Sequence, residues 1–410
     1  MAEPQPAPVQ PRNVHVFGAT SFLNDTASEM AYWILPAFLT TIGAGPATLG
    51  IIEGIAESVA SFAKLFSGLW TDRLRRRKPL VVSGYVVANA VKPLLALVTA
   101  AWQVLVIRFL DRLAKGVRGA PRDVMLSESV PPERVGAAFG LLQAMDSAGA
   151  IAGPLLALAI MSSAYGLQFG PRAVFIAAAV PGLLCIAVVA LALRETQHTP
   201  SPTHKALFAS PRALPRRYYY VIFAVALFSL GNSSDMFLVL RAQELGIPVW
   251  QAPLLGLIFN STYTLGSWPA GRLSDRASNG ASRGRYAIAS AGLLVYAAVY
   301  LAFARGSASL GIYTAMAFYG IYYALTQPVL KAIVVDAVGR ELRGGAFGIY
   351  YFVTSVAALL ASTVTGLLWK QYGAAVPLTI SAMLALAAAV LLFLAPDLFR
   401  HRPAAVSYTR

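Results

Sequence analysis

Charge, cysteine and histidine are all scarce in this sequence, and each shortage excludes a class of protein. Only 12% of the 410 residues are charged, against about 25% in average soluble proteins, which is too few to cover a water-exposed surface. The single cysteine, Cys185, excludes an intramolecular disulfide and a thiolate metal cluster. The chain has no Walker loop and no zinc motif, and none of its 4 histidines stands in a catalytic pattern. We therefore expect no enzymatic activity, no cofactor and no resident metal.

Hydrophobic residues, at 57% of the chain, are abundant and form long segments. A membrane helix needs about 20 apolar residues. Segments near that length run over residues 14–40, 47–70, 79–98, 102–125, 135–161 and 171–193, and then over 217–241, 250–271, 285–304, 308–336, 343–368 and 374–395. The sequence therefore predicts an all-α integral membrane protein with twelve transmembrane helices in two six-helix bundles, with the lipid bilayer as its solvent.

The predicted domain order follows from a polar, basic, proline-containing stretch between the two sets of spans. We expect a disordered N-terminal tail (1–13), an N-terminal bundle (14–193), a cytoplasmic linker (194–216), a C-terminal bundle (217–396) and a cytoplasmic tail (397–410). The boundaries assign six spans to each bundle.

Basic residues predict the orientation, because loops rich in Lys and Arg stay in the cytoplasm. The hinge after the second span carries five of them in residues 73–78, whereas the loop near Gly43 carries none. The other loops alternate in the same way, so both termini are predicted to be cytoplasmic. The net charge of +15 is thus spread between apolar spans, and no nucleic-acid partner is expected.

The two halves of the sequence resemble each other at corresponding spans, which is typical of transporters built from repeats. The matching pairs are Gly68-Leu-Trp-Thr-Asp72-Arg73 with Gly271-Arg-Leu-Ser-Asp275-Arg276, Gly136-Ala-Ala-Phe-Gly140 with Gly344-Gly-Ala-Phe-Gly348, and Ser21-Phe-Leu-Asn24 with Ser229-Leu-Gly-Asn232.

These Gly-x-x-x-Asp-Arg hinges, followed by basic residues, resemble the loop signature of the major facilitator superfamily. Arg108 resembles that family's buried arginine in the fourth span, and Gly149, Gly153 and Pro154 resemble the Gly-x-x-x-Gly-Pro element of its drug/proton antiporter branch. The resemblance implies the major facilitator fold, with two pseudo-symmetric bundles, and a secondary transporter of the bacterial inner membrane. It also implies a small-molecule substrate and a functional monomer.

The hinges are predicted to form a conformational latch from Gly68, Asp72, Arg73, Gly271, Asp275, Arg276 and Gly344. Asp72 would accept hydrogen bonds from the start of the eleventh span, where Gly344 permits close approach and the helix dipole favours an anion. The alternative is a solvated charge cluster that only fixes topology.

Carboxylates at membrane depth are costly and mark functional sites. Asp25, Glu57 and Asp146 each lie about 15 Å into their spans, and Glu29 lies one turn beyond Asp25. Burial disfavours the charged form of a carboxyl group, so these four are predicted to couple transport to protons. The alternative for Asp25, Glu57 and Asp146 is a structural ion pair with Arg108 or Arg112.

The predicted substrate-binding residues are Arg108, Arg112, Asn232, Asp235, Asn260, Gln327 and Lys331. Arg112 cannot lose its charge, and its planar fork suits a carboxylate or phosphate, which indicates an anionic substrate. Its neutralisation by Asp146 or Glu57 is the rival explanation. Lys92, in the third span, is predicted to reach outward to the membrane surface.

The leading functional hypothesis is proton-coupled export of a small organic solute by alternating access. A uniporter or symporter for an organic anion is one alternative. The other is a divalent-cation exporter that uses Asp25, Glu29 and Glu57 as oxygen ligands.

Overall fold

The structure is a computed structural model. It describes residues 10–73, 76–131, 134–196, 214–278, 283–306, 309–338 and 343–398. Within its helices, the side chains of residues 65, 68–73, 275, 277, 278, 335, 343, 344 and 397 lie outside this description.

The described residues are nearly all helical and contain no β-strand, which confirms the predicted all-α class. The first half comprises α1 (Arg12–Tyr32), α2 (Leu35–Thr41), α3 (Pro46–Arg73), α4 (Lys78–Val91), α5 (Ala101–Glu128), α6 (Val135–Met161), α7 (Ala164–Phe169), α8 (Pro171–Ala177) and α9 (Ala179–Ala192). The second half comprises α10 (Arg216–Gly231), α11 (Met236–Glu244), α12 (Ala252–Ser278), α13 (Arg283–Arg305), α14 (Ser309–Asp336), α15 (Arg343–Tyr372) and α16 (Ala375–Leu398).

The helices follow the predicted spans closely, and their arrangement is consistent with twelve of them. Within the described ranges, 7 helical runs are long and apolar enough to cross a membrane on length and composition. These runs are Lys78–Leu97, Val135–Met161, Pro171–Ala192, Arg216–Glu244, Arg283–Arg305, Gly345–Tyr372 and Ala375–Pro396. The first helix begins at Arg12, slightly before the predicted start, and most of the predicted linker and tails fall outside the described residues.

Several spans are broken, and proline explains most of the breaks. The first span divides into α1 and α2, with Pro36 at the start of α2, and the third continues from α4 into a 3₁₀ turn that contains Pro93. Proline lacks an N–H donor and disfavours helical geometry in the residue before it, so a helix readily ends there. The break between α10 and α11, at residues 232–235, contains no proline.

Each half packs mainly within itself. In the first, α1 packs on α6 and α9 while α5 packs on α3 and α4; in the second, α16 packs on α10 and α13 while α14 packs on α12 and α13. The most extensive helix contacts between the halves are those of α3 with α15, α6 with α12, and α2 with α11.

Glycine permits the closest approach between the halves. A side chain on Gly50 of α3 would collide with the backbone of Ser362 in α15, and one on Gly54 would lie 2.9 Å from the carbonyl oxygen of Leu359. One turn further, the Ser58 hydroxyl donates to the carbonyl oxygen of Ser355 at 2.9 Å. The two halves therefore touch closely toward the Gly43 end of the helices.

Candidate functional site

A cavity of about 470 Å³ lies between the two halves. Both halves contribute polar and aromatic side chains to its wall. The first half contributes Glu29, Tyr32, Trp33, Glu57, Ser61 and Arg112, and the second half contributes, among others, Asn232, Asp235, Phe259, Asn260, Tyr322, Tyr323, Gln327 and Lys331. The volume is that of a site for a small organic molecule.

The cavity brings together most of the residues predicted from the sequence. Two proton-coupling candidates, Glu29 and Glu57, line it, and so do all the predicted substrate-binding residues except Arg108. Arg108 and Asp25 line an adjoining cavity of about 80 Å³. Asp146 lines neither cavity.

Arg108 forms a buried ion pair with Glu53, a residue that was not among those predicted from the sequence. Its guanidinium donates from Nε to Glu53 Oε1 at 2.8 Å and from Nη2 to Glu53 Oε2 at 2.9 Å. The Glu53 side chain is 0% exposed and that of Arg108 8%. Such a two-point contact is the strongest geometry available to these groups. Arg108 is thus neutralised within its own half.

A second pair lies one turn along the same two helices. Nη2 of Arg112 is 3.0 Å from Oε1 of Glu57, so the neutralising partner of Arg112 in the structure is Glu57. Glu53 and Glu57 stand four residues apart on α3, as Arg108 and Arg112 do on α5. Residues four apart share one helix face, and this spacing was the available sequence signal for Glu53.

Lys92 points into the protein, contrary to the prediction that it reaches outward. Its side chain is 6% exposed, and its ammonium lies 3.4 Å from the Asp111 carboxylate and 3.4 Å from the Asn89 side-chain oxygen. A buried ammonium needs such partners because desolvation without them is very costly. The attraction to Asp111 therefore outweighs the gain from reaching the surface.

Two carboxylates of the central cavity differ from these pairs, because neither has an ion-pairing cation among the described side chains. Glu29 Oε2 accepts from the Trp33 indole at 2.7 Å and from the Asn260 amide at 3.2 Å. Asp235 Oδ1 accepts from the hydroxyls of Tyr319 at 2.7 Å and Tyr323 at 3.1 Å.

Glu29 and Glu53 both contact the opposite half of the molecule. Asn260, which donates to Glu29, belongs to α12 and also donates to the carbonyl oxygen of Ala150 at 2.8 Å. The Ser234 hydroxyl, in the break between α10 and α11, donates to Glu53 Oε2 at 3.1 Å. The backbone N–H of Ser234 in turn donates to the Ser362 hydroxyl at 3.1 Å. Carboxylates of the first half are therefore hydrogen-bonded to donors of the second.

The Gly149, Gly153 and Pro154 element lies where α6 packs on α1. A methyl group on Gly149 would lie 2.5 Å from the carbonyl oxygen of Phe22, and one on Gly153 would lie 2.7 Å from that of Thr26. These glycines bring α6 against the part of α1 that carries Asp25 and Glu29. A methyl group on Gly149 would also lie 3.1 Å from Cβ of Asp25, and Asp146 is one turn before Gly149 on α6.

The predicted latch is only partly described. Gly271 and Arg276 lie in α12, with open space around Gly271. Three residues of the latch, Gly68, Asp72 and Arg73, lie in the last turns of α3. Asp275 lies near the end of α12 and Gly344 at the start of α15. The contacts of these five residues fall outside the description. Within the described ranges, no three His, Cys, Asp or Glu side chains are grouped so as to hold a metal ion.

Sequence comparison identifies the family. The model of the major facilitator superfamily matches residues 17–330 and 220–407. The chain is also 35% identical over 367 residues to an uncharacterised MFS-type transporter of Methanocaldococcus jannaschii, covering 88% of this chain and 89% of that one. This protein therefore belongs to the major facilitator superfamily. It is a multi-pass membrane protein of a family that transports small molecules and does not catalyse reactions.

More distant similarities extend this assignment. The multidrug resistance protein MdtH of Citrobacter koseri is 29% identical over 150 residues, which is 37% of this chain and 36% of that protein. Among solved structures, a bacterial homologue of the human lysosomal transporter Spinster, inward-facing and unoccupied, matches with a TM-score of 0.75 at 14% identity, covering 98% of this chain and 100% of that one. A POT family transporter in complex with 5-aminolevulinic acid matches with a TM-score of 0.77 at 11% identity, covering 95% and 97%. These structures share the fold.

Proposed function

We propose that this protein exports a small organic solute in exchange for protons, by alternating access of the central cavity to the two sides of the bacterial inner membrane. The observation that carries the proposal is the hydrogen bond between Glu29 of the first half and Asn260 of the second. It joins a cavity carboxylate, free of any ion-pairing cation among the described residues, to the opposite half. The partial similarity to MdtH supports the direction of transport.

Protonation of Glu29 would change the contact between the halves. A hydrogen bond to an ionised carboxylate is roughly twice as strong as one between neutral groups. A proton on Glu29 therefore weakens the attraction of Asn260 and favours separation at this point. Asp25, which faces Gly149 of α6, and Asp146, one turn before that glycine, are the second candidate place for proton uptake. Glu57 is the least suited of the four, because Arg112 stabilises its charged form.

Alternating access requires the halves to separate first at one end and then at the other. The close contacts of Gly50 and Ser58 with α15 lie toward the Gly43 end, which the distribution of basic residues predicts to be outside. The state described here is then closed to the outside, with both termini cytoplasmic. The hinge around Asp72 and Gly344 would latch the opposite end, and each half would move as one bundle within a monomer.

The charges of the cavity favour a neutral or cationic solute. Arg112 is neutralised by Glu57, while Glu29 and Asp235 have no cation at ion-pairing distance among the described residues. Export of an organic anion is the second candidate function, and Lys331 favours it. This lysine lines the cavity and is exposed within it.

Neutral variants of the four carboxylates test the coupling. In proteoliposomes with an imposed pH gradient, we expect Glu29→Gln to abolish solute accumulation against a gradient while solute exchange across the membrane continues. Asp25→Asn or Asp146→Asn should weaken accumulation, and Glu57→Gln should impair folding by leaving Arg112 unpaired. Asp123→Asn, beside Arg122 and outside both cavities, is the matched control. Full pH-driven accumulation by the Glu29→Gln, Asp25→Asn and Asp146→Asn variants would refute the proposed coupling.

A further inference from the structure

The break in the seventh span opens polar groups to the central cavity. Helix α10 ends at Gly231, and Asn232 has φ −89° and ψ 78°, outside the helical region. Tyr296 fastens this end by donating to the Gly231 carbonyl oxygen at 2.9 Å. Interrupted membrane helices with this arrangement commonly surround a substrate site. The unwound residues 232–235 all line the cavity.

Three buried polar atoms around this break make no hydrogen bond with the described protein. They are Oδ1 of Asn232, Oγ of Ser233 and the hydroxyl of Tyr322. Ser233 and Tyr322 are buried, at 3% and 0% exposed, whereas Asn232 is half-buried and only its Oδ1 atom is enclosed. Buried polar groups without partners are rare and indicate a role outside the fold itself. All three line the cavity.

Asp235 adds a negative charge at the same place. Its Oδ1 accepts from two tyrosine hydroxyls, and its Oδ2 accepts only a longer bond from Tyr323 at 3.2 Å. A carboxylate offers about four acceptor positions, so it can accept further donors. Its two neutral tyrosine partners hold it in position without cancelling its charge.

Aromatic residues line the cavity beside these acceptors. The ring of Phe228 lies 6.0 Å from that of Tyr322, and the ring of Phe259 lies 5.0 Å from that of Tyr323, both pairs edge to face. All four residues line the cavity. The negative face of an aromatic ring attracts an organic cation but does not bind a hard metal ion.

We propose that the break in the seventh span is a binding subsite for a protonated amine, whose ammonium group donates to Asp235 and Asn232 while its carbon framework lies against the aromatic wall. This inference deepens the proposed function, because it assigns the substrate class of the same cavity. Within the described residues, the side chains of the subsite belong to the second half, and Ser234 of the same break joins it to Glu53 of the first half.

Equilibrium binding to the purified full-length protein in detergent tests this subsite independently of transport. The probes are radiolabelled 4-phenylbutylammonium, its N,N,N-trimethyl analogue and the neutral 4-phenylbutanol. We expect the primary ammonium to bind most tightly, the quaternary ion more weakly because it lacks N–H donors, and the alcohol most weakly because it lacks charge. Sodium ion at equal concentration should not displace the ammonium probe.

Single substitutions in the subsite are expected to weaken binding of the ammonium probe. Asp235→Asn should weaken binding of the primary ammonium by about ten- to a hundred-fold, as expected for loss of a hydrogen bond to a charged group, while leaving alcohol binding unchanged. Asn232→Leu should reduce the preference for the primary over the quaternary ion. Asp123→Asn and Tyr372→Phe, an exposed tyrosine at the end of α15, are matched controls.

The outcomes separate this inference from the proposed function. Equal binding of ammonium and alcohol, no binding of any ammonium probe, or undiminished ammonium binding by a folded Asp235→Asn variant would overturn the amine subsite even if transport is proton-coupled. Ammonium binding that depends on Asp235 in a protein without pH-driven transport would support the subsite and refute proton coupling.

Discussion

Replacing Arg108 with glutamine is expected to destabilise the protein more than any other single change in the cavity region. The substitution leaves Glu53 fully buried without a cation. Removing one member of a buried ion pair costs about 3–5 kcal/mol, because the remaining charge has no compensation. Ser234 donates one hydrogen bond to Glu53, which is too little to replace a two-point guanidinium contact. Thermal unfolding of the purified protein in detergent should show a large fall in the midpoint, with a low yield of folded protein.

The double variant Glu53→Gln with Arg108→Gln shows whether the instability comes from an unpaired buried charge or from the missing arginine side chain. Two neutral amides of similar volume leave no buried charge, so most of the stability should return. The pair of Arg241 and Glu244 provides the control, because its carboxylate side chain is 38% exposed and surface pairs contribute about 0–1 kcal/mol. Glu244→Gln, whose amide oxygen can still accept from Trp369, should therefore have a small effect. If Arg108→Gln is as stable as the parent, or the double variant is as unstable as the single one, the pair does not hold the fold in this way.

Replacing Gly50 with leucine is expected to open the cavity toward the Gly43 end of the helices. A side chain there collides with the Ser362 backbone of α15, which cannot move aside as a flexible side chain would. Overpacking of this kind costs about 1–3 kcal/mol. This cost falls only on the state in which α3 and α15 touch. The equilibrium between that state and the one in which the two helices are apart should therefore shift by about 5- to 150-fold toward the latter.

Cysteine accessibility measures this shift. Thr354 lines the cavity and can be replaced by cysteine as the labelling site. The native Cys185 is buried and should contribute little background labelling. A membrane-impermeant thiol reagent added from the Gly43 side should label Thr354→Cys slowly in the parent and much faster with Gly50→Leu. Gly119→Leu is the matched control, since the nearest atom to a side chain there is Lys64 Cγ at 3.9 Å. Equal labelling rates with and without Gly50→Leu would refute a gating contact at this position.

The class of fold and the family were predictable because they rest on local signals. The length of each apolar segment is enough to predict a membrane span. The repeated Gly-x-x-x-Asp-Arg hinges indicated the family that sequence comparison confirms. The break at residues 232–235 had no such signal, because it contains no proline and depends on Tyr296 and Ser362, which are far away in the chain.

The partners of the buried charges were harder to predict than their positions. Arg112 was expected to bind an anionic substrate, with neutralisation by Asp146 or Glu57 as the rival explanation. In the structure the packing of α3 on α5 places Glu57 beside it. Glu53 was missed, although its spacing from Glu57 matches that of Arg108 from Arg112. Lys92 was expected outside because a long chain can reach the surface, but the position of Asp111 depends on how α4 and α5 meet.

The central claim, exchange of a solute for protons through the cavity, is tested most directly in proteoliposomes that contain the unmodified protein and a trapped pH indicator. A panel of organic amines, neutral aromatic solutes and organic anions is added in turn with and without an imposed pH gradient. We expect at least one solute to move protons in the opposite direction and to accumulate against its own gradient when the pH gradient is imposed. Solute movement that neither changes the internal pH nor responds to the gradient, for every solute that the protein carries, would contradict it.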